Sequence, residues 1–250
     1  KLSFWVGAEK LGGHPVHFSP EEVGLGKREP VADVAQVMSR MSDVAVIRTF
    51  AQETIEEFAA NASIPVINAL TDLEHPCQAL ADTQTITEQL GNVKGAKVAF
   101  IGDGNNVAVS LGYAVAGLGG HLTVASPDGY KLPAEDLEGA NTYGASAGGS
   151  VTQVTSPQEA VAGADIVYTD VWTSMGQETE TAKRLVAFDG YQVNPALLDQ
   201  AGPNVKFMHD LPAHPGEEIS DGLLYDSRAV AFDQAENRLW AQAALMEKLI

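Results

Sequence analysis

Strand-like apolar runs and helix-like amphipathic runs alternate along almost the whole chain, and that alternation excludes more folds than any other feature. A first series has helical patterns at 3–13, 30–42 and 52–62 and strand patterns at 14–19 ("HPVHFS"), 43–50 ("DVAVIRTF") and 64–70 ("IPVINAL"). A longer helical pattern, "HPCQALADTQTITEQLG", follows and stops at Gly91. The series then restarts with strands at "AKVAFIGDGNN", "HLTVASP", "GSVTQVTS", "ADIVYTDVW" and "NVKFMHDL", and ends on a short strand and a closing helix from Ala229. Strands separated by helices pair in parallel, so the expectation is α/β: two doubly wound parallel-sheet domains joined by a long helix. The boundaries expected are 1–76 and 77–234, with the closing helix 235–250 returning to the first domain. Such sheets bind ligands beyond the carboxyl ends of their strands. Arg48, the 71–78 segment, Gly102–Asn106, Asp170 and His209–Asp210 all fall there.

The bulk numbers narrow the partners. A net charge of −18 repels nucleic acid and anionic membrane alike, so an anionic ligand must be held by local cations. No apolar run is long enough to cross a membrane. A single cysteine, Cys77, forbids an internal disulfide and fits a cytoplasmic setting. The chain begins without an initiator Met and as if inside a helix, so a cut start is expected.

Several stretches could carry chemistry. "GDGNN" follows a strand and opens a helix, but the third glycine of a dinucleotide fingerprint is Val107. The turn could instead read an amino-acid head group through the amides of Asn105 and Asn106. His75 and Gln78 lie three apart at a helix start, where imidazole and amide donors could polarise a carbonyl or hold an oxyanion. The plainer alternative is a His-Pro helix start with an exposed glutamine. Arg48 ends a buried strand and either meets an anion or makes a structural ion pair. Asp170 ends another strand and leads into a loop with Ser174, Met175 and Gly176, suited to a cationic amine. Arg238 reads on its own as a surface helix arginine. His209, Asp210 and His214 could ligate a metal, although Pro212 and Pro215 make their spacing irregular.

Taken in order, "HPCQ", "GDGNN", "DVWTSMGQE", "FMHDLP" and "AENR" resemble the ornithine carbamoyltransferases over essentially all 250 residues. HPxQ is shared with the wider carbamoyltransferase family, and the Asp-x-x-x-Ser-Met-Gly loop marks an ornithine-type acceptor. The resemblance implies carbamoyl transfer from carbamoyl phosphate to L-ornithine, giving L-citrulline and phosphate as in arginine biosynthesis. It makes residues 1–76 a carbamoyl-phosphate-type domain and 77–234 an ornithine-binding-type domain. It places Arg48, His75 and Gln78 on carbamoyl phosphate and Arg238 at the reacting centre. Asn106, Asp170, Ser174, Met175 and Leu211 would hold ornithine, with Asp210 beside them as a catalytic candidate, either protonated by its neighbour's charge or serving as a base. It implies no metal, no organic cofactor and a homotrimer.

Three departures accompany the resemblance. The family's Ser-Thr-Arg-Thr-Arg phosphate loop should end where Lys1 begins. Gly24 stands where many members place a glutamine that reaches a neighbouring subunit. The family's His-Cys-Leu-Pro is His209-Asp210-Leu211-Pro212 here. A second carboxylate beside Asp170 would hold an ammonium well but raise its pKa, and each unit costs about tenfold in neutral, attacking amine. Three readings therefore stand: an ornithine carbamoyltransferase, a non-catalytic homologue that binds ornithine or a related amine as a sensor or assembly subunit, and a transferase with another acceptor amine such as putrescine.

Overall fold

The protein is described by a computed structural model covering residues 1–174 and 176–250. Its strands are β1 (Ala45–Arg48), β2 (Val66–Leu70), β3 (Lys97–Ile101), β4 (His121–Ala125), β5 (Ser150–Val154), β6 (Ile166–Thr169) and β7 (Lys206–His209). Its helices are α1 (Leu2–Lys10), α2 (Pro20–Val23), α3 (Val31–Met38), α4 (Gln52–Asn61), α5 (Pro76–Leu90) and α6 (Asn106–Gly117), followed by α7 (Ala134–Gly144), α8 (Pro157–Val161), α9 (Thr181–Ala187), α10 (Pro195–Leu198) and α11 (Ala231–Leu249). Among the described residues, the strands form two sheets, and every pairing is parallel. The α/β architecture read from the alternation is the one observed.

The smaller sheet joins β1 to β2, in register from Ala45↔Val66, with α4 as the crossover. Val31, Val34, Ala35, Ala45 and Phe58 form its core. The stretch 14–19 is not a strand, contrary to the alternating pattern. Pro15 withholds a ladder donor, Val16 is 75% exposed, and Ser19 instead caps α2 in a capping box with Glu22.

The larger sheet runs β5-β4-β3-β6-β7. The chain builds outward from β3 to β5, then returns to lay β6 on the other side of β3. That reversal is a topological switch point, and the β3 and β6 ends form the crevice there. Burial on both faces explains the apolar strands. Val98 and Phe100 point into one core with Leu111, Val115 and Tyr168, while Ala99 and Ile101 point into the other with Val167, Phe188 and Phe207. The short strand expected before the closing helix is a single bridge, Phe207↔Ala229, because α11 starts already at Ala231.

Two long helices join the units. α5 leads from β2 toward β3, and α11 packs along α5 and on to α1. Gly7 permits that last contact: a Cβ there would lie 3.2 Å from Met246.

Candidate active site

The site lies where the carboxyl ends of β2, β3, β6 and β7 converge on the start of α5 and the side of α11. His75 is the N-cap residue of α5, with Pro76 at the first helical position, where a missing N–H is harmless. Its backbone N–H donates to Ser110 Oγ at 2.8 Å. Gln78 is fully buried, so the reading of an exposed glutamine is corrected. Arg238 is not a plain surface arginine. It donates to Gln78 Oε1 and lies 3.4 Å from His75 Nε2. A guanidinium only donates, so Nε2 accepts and the ring proton is on Nδ1, which is buried without a protein partner.

The electrostatics of this end are cationic within an anionic molecule. Burial, then the charges of Arg238 and Arg48, push the His75 pKa down to about 3. His75 is therefore a neutral imidazole at any working pH. Burial and the nearby Arg238 also lower the Arg48 guanidinium. One expectation is reversed at Gln78. Its amide nitrogen is already given to Asp82 Oδ1 at 2.8 Å, so the atom facing Arg238 is the carbonyl oxygen. Gln78 offers the site an acceptor, not a donor.

The opposite side is acidic. Asp170 is buried at the end of β6. Its oxygens accept from Val171 N at 2.6 Å and from Asn105 Nδ2 at 2.7 Å. Asn105 Oδ1 in turn caps α6 by accepting from the N–H groups of Val107 and Ala108. This bears on both readings of the GDGNN turn. The helix N-terminus that a dinucleotide phosphate would need is filled by Asn105 itself, and the oxygen and one N–H of its amide are already engaged. Gly104 backs directly onto the 131–132 backbone, where a Cβ would meet Leu132 N. Asn106 donates to Thr71 O at 2.6 Å, joining the turn to the end of β2. Ser174 is half-buried in the following loop and is braced by Gln177, and Gly176 comes against Phe50 of the smaller unit. Met175 lies outside the described residues.

The β7 end completes this side. Asp210 hydrogen-bonds to Asp170, and burial first, then the charge of Asp170, holds its carboxyl well above the usual range. Two carboxyls this close share a proton rather than both ionise. Burial and the neighbouring charge thus favour an uncharged Asp210 and lessen the adverse double charge expected from the sequence. Leu211 takes φ 58°, an unusual backbone for a leucine, and its N–H donates to His209 Nδ1 at 2.9 Å. His209 Nε2 faces Glu218 Oε1 at 3.1 Å. Both ring nitrogens are thus engaged, which removes His209 from the metal set considered above. Among the described residues, the grouping of potential ligands is His214, Glu217 and Glu218.

Sequence reasoning missed the residues behind this surface. Asp82, Gln234 and Tyr168 form a buried network under Gln78. Arg184 crosses to Asp103 of the GDGNN turn at 2.5 Å. Only the Gln78–Asp82 spacing, one helical turn apart in "QALAD", was a visible signal.

Comparison with known proteins gives a consistent result. Residues 1–88 match the family described as aspartate/ornithine carbamoyltransferase, carbamoyl-P binding domain, and residues 94–249 match its Asp/Orn binding domain. An anabolic ornithine carbamoyltransferase of Pseudomonas aeruginosa is 54% identical over 250 residues, which is 100% of this chain and 80% of that protein. Ornithine carbamoyltransferase of Bacillus subtilis is 49% identical over 100% of this chain and 78% of its own length. Among solved structures, ornithine carbamoyltransferase from Pyrococcus furiosus superposes with a TM-score of 0.95 at 44% identity, covering 100% of this chain and 79% of that one.

Proposed function

The chain belongs to the aspartate/ornithine carbamoyltransferase family, and from that premise we propose how its site divides the work of carbamoyl transfer. The reaction is transfer from carbamoyl phosphate to L-ornithine, giving L-citrulline and phosphate in arginine biosynthesis. The observation that carries the reading is the polarity of the cleft, with Arg48, Arg238 and neutral His75 at one end and the Asp170–Asp210 pair at the other.

Arg48 and Arg238 take the phosphate and the charge that builds on the carbamoyl oxygen. His75, kept neutral, sets its Nε2 beside Arg238 and so holds the guanidinium toward that oxygen without becoming an acid, and Gln78 Oε1 accepts from the carbamoyl NH2. Asp170, Asn106, Ser174, Met175 and Leu211 position ornithine so that its side-chain amine faces the carbonyl carbon. Attack by the neutral amine forms the C–N bond and a tetrahedral intermediate; as the C–O bond breaks, phosphate leaves with the bonding pair and takes the proton shed by the nitrogen. Catalysis is then alignment plus preorganised charge, and the residues supply both. Residues 1–76, with Gln78 at the start of α5, serve the carbamoyl phosphate side and the rest of 77–234 the ornithine side, with α11 spanning the two.

Assembly as a homotrimer is part of this proposal. It is supported by apolar side chains left exposed on the smaller unit, notably Met41 at 83% and Phe50 at 65%. A cytoplasmic location is also proposed. No described helix is long and apolar enough to cross a membrane.

The deciding experiment is citrulline formation from carbamoyl phosphate and ornithine by chain of verified mass. Turnover well above a blank supports the assignment. Ornithine binding without turnover would leave the second reading, a non-catalytic ornithine-binding homologue, which the Asp170–Asp210 pair favours. Asp210→Cys separates the two further. As pH rises and Asp210 ionises, the pair gains a second negative charge and the bound amine is held protonated. Asp210→Cys should therefore raise kcat/KM about tenfold for each pKa unit the amine recovers, with most of the gain on the alkaline side. A pH–rate profile that does not move on this substitution would show that Asp210 is not coupled to the amine.

A further inference from the structure

We infer that Asp82 is a positioning residue whose carboxylate decides which atom of Gln78 faces the carbamoyl group and ties that choice to the backbone of the acceptor loop. The inference rests on the carbamoyl-transfer reading of the site and adds to it a residue that touches no substrate.

The geometry is specific. Asp82 lies one turn after Gln78 on α5 and is fully buried. Its Oδ1 accepts two side-chain amides, Gln78 Nε2 at 2.8 Å and Gln234 Nε2 at 2.7 Å. Its Oδ2 accepts from the Tyr168 hydroxyl at 3.2 Å. A carboxylate accepts only, so both glutamines must turn their nitrogens inward and their oxygens outward. For Gln78 the outward oxygen meets Arg238. For Gln234 it accepts the His209 N–H at 2.9 Å, at the last residue of β7. One buried carboxylate thus orients a donor–acceptor pair on α5, a second pair on α11, and the strand end that carries Asp210 and Leu211.

Without Asp82 the two orientations of Gln78 differ little in shape and entirely in chemistry. The flipped amide would aim its NH2 at Arg238, donor against donor, and offer the carbamoyl NH2 no acceptor. Burial pushes the Asp82 carboxyl up to about 7, but Oδ1 already holds two donors. A proton taken up goes to Oδ2 and reverses only the Tyr168 bond, so the glutamines keep their orientation.

The test is steady-state citrulline formation by the full chain, with the Gln78 side-chain amide followed by NMR in glutamine-labelled protein. Asp82→Leu removes the acceptor at similar volume. It should lower kcat by roughly thirtyfold or more and abolish the exchange protection of the Gln78 amide. Asp82→Asn retains an oxygen for both amides, with Tyr168 able to accept from its NH2, and should rescue kcat to within about fivefold of wild type with protection intact. A folded Asp82→Leu with wild-type kcat and a protected amide would overturn the inference. So would an Asp82→Asn that loses as much as Asp82→Leu, since charge rather than orientation would then be what matters.

Should Asp82→Leu fail to fold, an isosteric pair decides. Gln78→Glu sets carboxylate against carboxylate and should lose about thirtyfold, while adding Asp82→Asn supplies a donor and should recover at least about fivefold. No recovery overturns the inference. A wild-type chain that makes no citrulline would sink the carbamoyl-transfer reading instead, and the amide protection would still report whether Asp82 orients Gln78.

Discussion

Arg238→Met is expected to lower kcat/KM for citrulline formation by roughly thirty- to a hundredfold, about 2–3 kcal/mol of transition-state stabilisation. The side chain keeps its apolar stem and its place on α11, so thermal stability should change little. What is lost is a cation that donates to Gln78 Oε1 and sits beside His75, where the proposed transfer would build negative charge. A second effect needs weighing, because Arg238 also helps to depress the His75 pKa. Burial is the larger cause there, and Arg48 remains, so His75 stays well below its ordinary 6.5 and is still neutral near pH 8. The loss at pH 8 is therefore that of the guanidinium itself, and an acid limb should move only at low pH. A variant within threefold of wild type at pH 8 would remove Arg238 from the reacting centre.

Arg184→Met carries the largest expected cost in stability, about 3–5 kcal/mol, because it strands a buried carboxylate. Arg184 and Asp103 side chains are 7% and 11% exposed and pair at 2.5 Å. Arg184 also donates to Trp172 O at 2.9 Å, so one guanidinium ties the GDGNN turn to the loop after β6. Burial keeps the Asp103 carboxyl above its usual range even with the guanidinium beside it, which shows that desolvation outweighs the pairing. A folded-state pKa raised above the unfolded value gives stability at low pH that is lost as pH rises through it. Removing Arg184 raises that pKa further. Chemical denaturation should accordingly show a greater loss on the alkaline side of the Asp103 transition than on its acid side, and Asp103→Asn added to Arg184→Met should restore part of it. A loss independent of pH would mean that packing, not charge, explains the effect.

What was legible in the sequence follows a physical divide. The strands β3, β4, β6 and β7 are short apolar runs closed by turn residues, and their pattern survives because parallel strands are buried on both faces. His75, Asp170 and Asp210 could be placed at strand or helix ends because the chain order alone fixes those ends. The stretch 14–19 misled because an alternating polar and apolar segment says nothing about whether a partner strand exists. Gln78 misled more usefully. Its position was readable, but the direction of its amide is set by Asp82, whose other contacts come from Gln234, 152 residues away, and Tyr168, 86 residues away. The Arg184–Asp103 pair spans 81 residues and was invisible for the same reason. Most of the candidate site residues sit at strand or helix ends that local patterns mark, whereas Arg238, inside α11, does not. Residues that aim them are brought together only by the fold.

The return of α11 along α5 to α1 has a consequence for how the molecule holds together when cut. The linker 91–95, with Gly91, Asn92, Lys94 and Gly95 exposed, is the covalent passage from α5 to β3. The second passage runs through α11, which follows β7 in the chain and reaches the smaller unit by packing on α5 and α1. A chain nicked between Gly91 and Asn92 should stay a single particle, its two fragments held by the α5–α11 and α5–α6 surfaces. Fragments that co-elute after nicking would mean the protein can be supplied as two polypeptides that find each other. Fragments that separate would mean that the linker, not the helices, keeps the halves of the cleft at working distance.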